Sequence, residues 1–275
     1  MNLTINSKVK LNNGSEMPLF GLGVYQSDKG EETRKAVLDS LEAGYRHIDT
    51  AKFYQNEKDV GNAIKESGIP RSEIFVTTKL WNSDHGYDLT LKAFEKSLEQ
   101  LDLGYIDLYL VHWPVTGLRN ETWKAMEKIM ESGKCKSIGV SNYTIKHLKE
   151  LLDFANIVPA VNQVEFSPYL YQKELLDFCN KNSIQLEAYS PLTQGEKLKE
   201  KVLVDISKKY NKTTAQLILR WALQHNIVII PKSVTKSRII ENANIFDFNI
   251  SDEDMNKLDL LNENFRTCWD PSNNP

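Results

Sequence analysis

A chain of 275 residues with 41% hydrophobic residues is long enough to bury a full core, as one α/β barrel or as two small domains. Its 34 basic and 37 acidic residues give a net charge of −3 and form no long block of either sign, which argues against nucleic-acid or membrane-surface binding. Cys135, Cys179 and Cys268 are odd in number and far apart, a pattern that fits neither a disulfide framework nor metal-ligand spacing, so no metal site is expected.

No Pro-, Gly- or Ser-rich linker divides the chain, and a single domain over residues 1–275 is expected. The opening MNLTINSKVK lacks the apolar centre of a signal peptide, and no run approaches the roughly 18 apolar residues of a spanning helix. A cytoplasmic protein is the expectation. In chain order, KVKLNNGSEMPL reads as a β-hairpin turning at Asn13-Gly14. Strand-like segments then recur as LFGLG, YRHID, IFVTTKL, IDLYLVH, CKSIGVS, AVNQVEF, IQLEAYS and IVIIPKS.

Between them run amphipathic stretches such as EETRKAVLDSLEAG, TLKAFEKSLEQL, TWKAMEKIM and KHLKELLDFA, with charge opposite an apolar face. Gly44, Gly68 and Gly133 follow three of the helical patterns, as C-terminal stops do. This unbroken alternation predicts an α/β fold, a (β/α)8 TIM barrel with an N-terminal β-hairpin. A doubly wound dinucleotide fold loses its main support, because no G-x-G-x-x-G follows a strand.

Barrel active sites are built at the C-terminal ends of the strands. Here those ends carry Tyr25, Asp49, Lys79, His112, Ser141 with Asn142, Gln163 with Glu165, Tyr189, and Lys232 with Ser233. Any one of them reads equally well alone as a polar strand end, Lys79 as a solvated lysine and His112 as a core histidine. The succession is harder to dismiss.

Asp49, Tyr54, Lys79 and His112 make chemical sense together. A phenol is a poor proton donor near neutrality unless an adjacent ammonium stabilises its anion, and Lys79 can supply that charge and so lower the Tyr54 pKa. Asp49 can hold the lysine, and His112 can hydrogen-bond a substrate oxygen. The set suits a carbonyl or alkoxide oxygen and contains no evident nucleophile. In IPKSVTKSRIIENANIF, Lys232 ends the last strand, Ser233 or Thr235 can cap the next helix, and Arg238 lies on its first turns. Two cations at a helix start suit a phosphate, a 2′-phosphate included.

The motifs GYRHIDTAKFYQNE, TTKLWN, DLYLVHWP, GVSNY, VNQVEF, YSPL and IPKSVTKSRIIENANIFDF, in this order, resemble the aldo-keto reductases from about Lys8 to about Asn262. The likeness is to the bacterial and protozoan branch with glyoxal/methylglyoxal reductases and prostaglandin F synthase-like enzymes. The resemblance implies NADPH-dependent reduction of aldehydes and ketones to alcohols by a monomer acting on small carbonyl compounds. It implies Tyr54 as general acid/base, Lys79 and Asp49 as the pair tuning it, and His112 as the residue orienting the carbonyl.

By the same resemblance Ser141, Asn142 and Gln163 hold the nicotinamide carboxamide, and Tyr189 stacks on the ring. Lys232, Ser233, Val234 and Arg238 take the 2′-phosphate, with Glu241 and Asn242 at the adenine. Gly23, Val24, Tyr25, Asp49, Ser190, Leu192 and Gln194 complete the implied cofactor contacts. Tyr25, Trp81, His112 and Trp113 are implied to wall the substrate pocket.

This chain departs from the pattern in three places. Tyr25 stands where many relatives carry Trp, PLTQGEKLKEK is a short loop around Leu192 and Gln194, and the tail NENFRTCWDPSNNP is short. The last leaves open whether Trp269 replaces a longer lid. The alternative from another class is a barrel that binds cofactor without catalysis; it would not need all four of Asp49, Tyr54, Lys79 and His112.

Overall fold

Strands β1 (Lys8–Lys10) and β2 (Glu16–Pro18) pair antiparallel at the N-terminus. The expected hairpin is present, but its connection runs over Leu11–Ser15, closed by the Leu11 N–H donating to Ser15 O at 2.8 Å and the Gly14 N–H donating to Leu11 O at 2.9 Å. Only Gly14 takes the left-handed backbone, at φ 88°, while Asn13 turns its amide outward to Lys136 O and Ser137 Oγ. Its side chain thus ties the hairpin to the barrel. The computed structural model describes residues 3–274; Met1, Asn2 and Pro275, the ends of the expected single-domain span, lie outside the described residues.

The barrel strands are β3 (Leu22–Gly23), β4 (His47–Asp49), β5 (Phe75–Leu80), β6 (Ile106–Val111), β7 (Cys135–Ser141), β8 (Val161–Glu165), β9 (Gln185–Tyr189) and β10 (Val228–Ile229). Each pairs in parallel with the next in chain order. Single parallel bridges from Phe20 to Ile229 and from Gly23 to Lys232 join the first to the last and close the ring. β6, IDLYLV, is buried at every position, as a parallel strand covered on both faces must be.

Helices α1 (Glu31–Glu42), α2 (Glu57–Glu66), α3 (Tyr87–Leu101), α4 (Arg119–Glu131), α5 (Ile145–Phe154) and α6 (Lys173–Lys181) follow the first six strands. Between β9 and β10 come two helices, α7 (Lys201–Lys209) and α8 (Thr214–Gln224), and after β10 come α9 (Lys236–Ala243) and α10 (Asp252–Asp259). None of the described helices is long and apolar enough to cross a membrane. The two-residue side-chain period places His47 with Asp49, Thr77 with Lys79, Gln163 with Glu165, and Glu187 with Tyr189 on the same faces of their strands. Those faces meet inside the ring, where His47 contacts Thr77 and Gln163 contacts Asp49.

Candidate active site

Lys79, on β5, is fully buried, and its Nζ donates to Asp49 Oδ1 at 2.7 Å, to Thr50 O at 2.9 Å and to the Tyr54 hydroxyl at 3.3 Å. Asp49 ends β4. Tyr54 sits five residues on, on a single 3-10 turn (Lys52–Tyr54) whose Tyr54 N–H bonds back to Ala51 O. That turn carries the phenol from the strand end to the lysine of the next strand. His112 follows β6 directly, held by its backbone N–H on Leu80 O, with its ring centroid 5.8 Å from that of Tyr54.

Burial pushes the Asp49 carboxyl up, and the Lys79 ammonium and the Gln163 amide pull it back. The lysine at 2.7 Å makes Asp49 the ionised partner. Burial and then the Lys79 charge hold His112 well below its usual range, so its imidazole is neutral near neutrality. Tyr54 corrects the sequence expectation. Desolvation of its hydroxyl, with the Asp49 charge adding, pushes it well above the ordinary phenol value instead of lowering it. Asp49 neutralises Lys79 more closely than Lys79 approaches the phenol, so the ammonium does not dominate. Tyr54 therefore stands fully protonated.

A cavity of about 960 Å³ opens over these residues. Among the expected residues, Gly23, Tyr25, Asp49, Tyr54, Trp81, His112, Trp113, Asn142, Gln163, Tyr189 and Ser190 line it, as do Leu192, Gln194, Lys232, Ser233, Val234, Arg238, Glu241 and Asn242. Lys79 lies behind Asp49 and Tyr54. Val24 and Ser141 are buried outside the wall: the Val24 carbonyl accepts from Asn56, and Ser141 Oγ donates to Gln163 O.

Asn142 adopts a left-handed backbone at φ 63°; its Nδ2 donates to His112 O at 3.0 Å and its Oδ1 accepts from the Tyr189 hydroxyl at 2.7 Å. The α9 start differs from expectation in one detail. Thr235 makes no side-chain cap, and Ser233 Oγ accepts from the Thr235 N–H, which leaves helix-start donors without an internal partner. Neither Lys232 nor Arg238 has an ion-pair partner among the described residues.

Sequence reasoning missed several wall residues. Phe53 stacks on Trp81 with centroids 3.8 Å apart, and Arg266, Thr267 and Cys268 line the cavity from the tail. Glu165 holds that tail: its Oε1 accepts from the Thr267 N–H and hydroxyl, each at 2.6 Å. The short loop after β9 meets the tail too, with Gln194 Nε2 donating to Thr267 O at 3.2 Å. Trp269 packs on Trp113 at 5.7 Å and lines the cavity, so the short tail still reaches the mouth. A hydrophobic residue beside a motif tyrosine gave no signal for Phe53, but the buried-strand carboxylate of Glu165 was itself a visible anomaly.

A profile of the aldo/keto reductase family matches residues 20–263. Glyoxal reductase of Bacillus subtilis (strain 168) is 55% identical over 271 residues, covering 98% of each chain. A solved aldo-keto reductase from a Medee basin deep-sea metagenome library has a TM-score of 0.94 at 47% identity, over 97% of this chain and 99% of the other. The aldo-keto reductase of Bombyx mori, solved in complex with NADP, has a TM-score of 0.91 at 34% identity, over 97% and 96% of the two chains. The chain belongs to the aldo/keto reductase family.

Proposed function

We propose that this protein reduces aldehydes and ketones to alcohols with NADPH, and that Tyr54 is the proton donor. The observation that carries the reading is Lys79 Nζ, 2.7 Å from Asp49 and 3.3 Å from the Tyr54 hydroxyl, just behind the wall of a cavity that is also lined by two cations, Lys232 and Arg238, without ion-pair partners among the described residues. The cavity's donors fit the cofactor. Lys232 and Arg238 flank the uncapped start of α9, where a 2′-phosphate would gain charge-assisted hydrogen bonds.

Asn142, Gln163 and Tyr189 would hold the nicotinamide end; Ser233 and Val234 would add to the phosphate site, and Glu241 and Asn242 would meet the adenine. Gly23, Tyr25, Ser190, Leu192 and Gln194 would line the path between. Ser141 and Val24 act through neighbours in this reading, Ser141 by bonding Asn142 Nδ2 at 3.1 Å.

NADPH, when bound by these residues, would supply the hydride for the carbonyl carbon. Tyr54, protonated at rest, gives its proton to the carbonyl oxygen as negative charge develops there. Lys79 then lies beside a forming phenolate and stabilises it, while Asp49 keeps the lysine in place. Neutral His112 orients the oxygen by one hydrogen bond. Tyr25, Phe53, Trp81, Trp113 and Trp269 would shield the reacting carbonyl from water. A non-catalytic barrel leaves the fully buried Lys79 and its three acceptors without a purpose.

The test is steady-state NADPH oxidation with a reactive aldehyde. Tyr54→Phe is expected to lower kcat by about 10²- to 10⁴-fold, the range for a lost general acid, with NADPH affinity unchanged. A Phe variant that turns over like wild type refutes the assignment.

A further inference from the structure

Beneath the cavity lies a buried polar layer that the proposed chemistry leaves unused. Glu187, in the middle of β9, is fully buried. Its Oε2 accepts from Gln163 Nε2 at 2.9 Å, and the same nitrogen donates to Asp49 Oδ2 at 2.8 Å. Glu187 Oε1 has no hydrogen-bond partner and lies 3.6 Å from His47 Nε2, which is itself within 3.0 Å of Thr77 Oγ1.

A primary amide has two N–H bonds. Gln163 commits both to carboxyl oxygens inside the barrel, of Asp49 and Glu187, so the acceptor atom Oε1 is what it has left for the cavity it lines. With Asp49 alone, the second N–H would be free to swing toward the cavity and the amide would lose its orientation. Asp49, ionised and therefore an acceptor only, determines which end of the amide is nitrogen.

We propose that Glu187 is a positioning residue: it locks the Gln163 amide so that its oxygen, not its nitrogen, faces a ligand in the cavity. The ligand group this selects is an N–H donor, and on the proposed function, on which this inference rests, that group is the carboxamide of the nicotinamide. Glu187 needs only a neutral acceptor oxygen for the task. Burial, reinforced by the Asp49 charge, keeps its carboxyl protonated well above the usual carboxylate range, which leaves Asp49 as the single anion facing Lys79. Glutamine is therefore a faithful replacement and leucine is not.

The experiment measures binding, by quenching of tryptophan fluorescence, of NADP+ and of its 3-acetylpyridine analogue, in which a methyl ketone without N–H replaces the amide. Wild type is expected to prefer NADP+ by roughly two- to tenfold, the worth of one net hydrogen bond. Glu187→Gln is expected to keep that preference and Glu187→Leu to bring the ratio close to one.

A folded leucine variant with the wild-type ratio overturns the role of Glu187 alone, and so does a glutamine variant that loses the preference. Wild type without any preference overturns instead the reading that Gln163 meets the amide, and the proposal falls with it. Hydrogen exchange of the Gln163 side-chain amide in the unsubstituted protein needs no variant to fold. Slow exchange of both protons is expected, and fast exchange of either refutes the double lock.

Discussion

Lys79 has three N–H donors, and Asp49, Thr50 and Tyr54 take one each. A buried ammonium with every donor used is a fixed charge, and its stability depends on the partner that neutralises it. Removing that charge leaves Asp49 ionised in the barrel with only the Gln163 amide for company. Lys79→Met is therefore expected to cost about 3 to 5 kcal/mol in urea unfolding, and the added change Asp49→Asn to restore most of it. Simple additivity of the two losses would show that the pair is not coupled. At this scale the strand-end reading named Asp49, Lys79 and His112, and the structure brings the three together around Tyr54, since all stand at or just past the C-terminal ends of neighbouring strands. It missed the direction of the Tyr54 shift, because two competing charges and the desolvation of one hydroxyl cannot be weighed without distances. It missed Glu187 as well, which stands mid-strand in IQLEAYS, where only the cross-strand partner Gln163 reveals its use.

Helix α9 shows how an element can carry a site through what it lacks. Its first residues have no side-chain cap, and the cations beside it, Lys232 before the helix and Arg238 within it, have no carboxylate partner among the described residues. By contrast Lys236, in the same first turn, is held by Asp39 and Glu42 of α1. Arg238→Ala is expected to weaken NADPH by about 1.5 to 3 kcal/mol and NADH much less, since a charge-assisted phosphate contact is what it removes. Lys236→Ala should change neither, and fluorescence titration with both cofactors checks all three. Equal losses for NADPH and NADH would refute the phosphate role. The eight barrel strands were legible because each is a short segment set between amphipathic helical stretches, and most are rich in apolar residues, whereas α7 and α10 went unread. Both are supplementary to the strand-helix alternation, and α10, DEDMNKLD, buries only Asp254 and Leu258, too little to show as an apolar stripe.

For the molecule as a whole, the tail is the part that sequence periodicity could not place: Glu165 and Thr267 meet across 102 residues through a carboxylate and a backbone N–H. Closure of the ring is another long-range matter, and it joins fold to site. β3 meets the segment just beyond β10 at the bridge between Gly23 and Lys232, so the seam that completes the barrel also places one of the two phosphate-site cations. A Cβ at Gly23 would stand 2.9 Å from Ile230 O, a backbone atom that cannot turn away as a side chain could. Gly23→Ala must therefore spread the seam, at a cost of about 1 to 3 kcal/mol for an overpacked site. Lys232 moves with its backbone, so NADPH affinity should fall with the unfolding midpoint. Gly14→Ala provides the comparison: at φ 88° with no atom within 4 Å of the new Cβ, it strains the hairpin turn alone. It is expected to lower the midpoint while leaving NADPH affinity as in wild type. Urea unfolding and fluorescence titration on both variants separate the cases, and a Gly23→Ala protein with normal affinity would show that the seam does not set the position of Lys232.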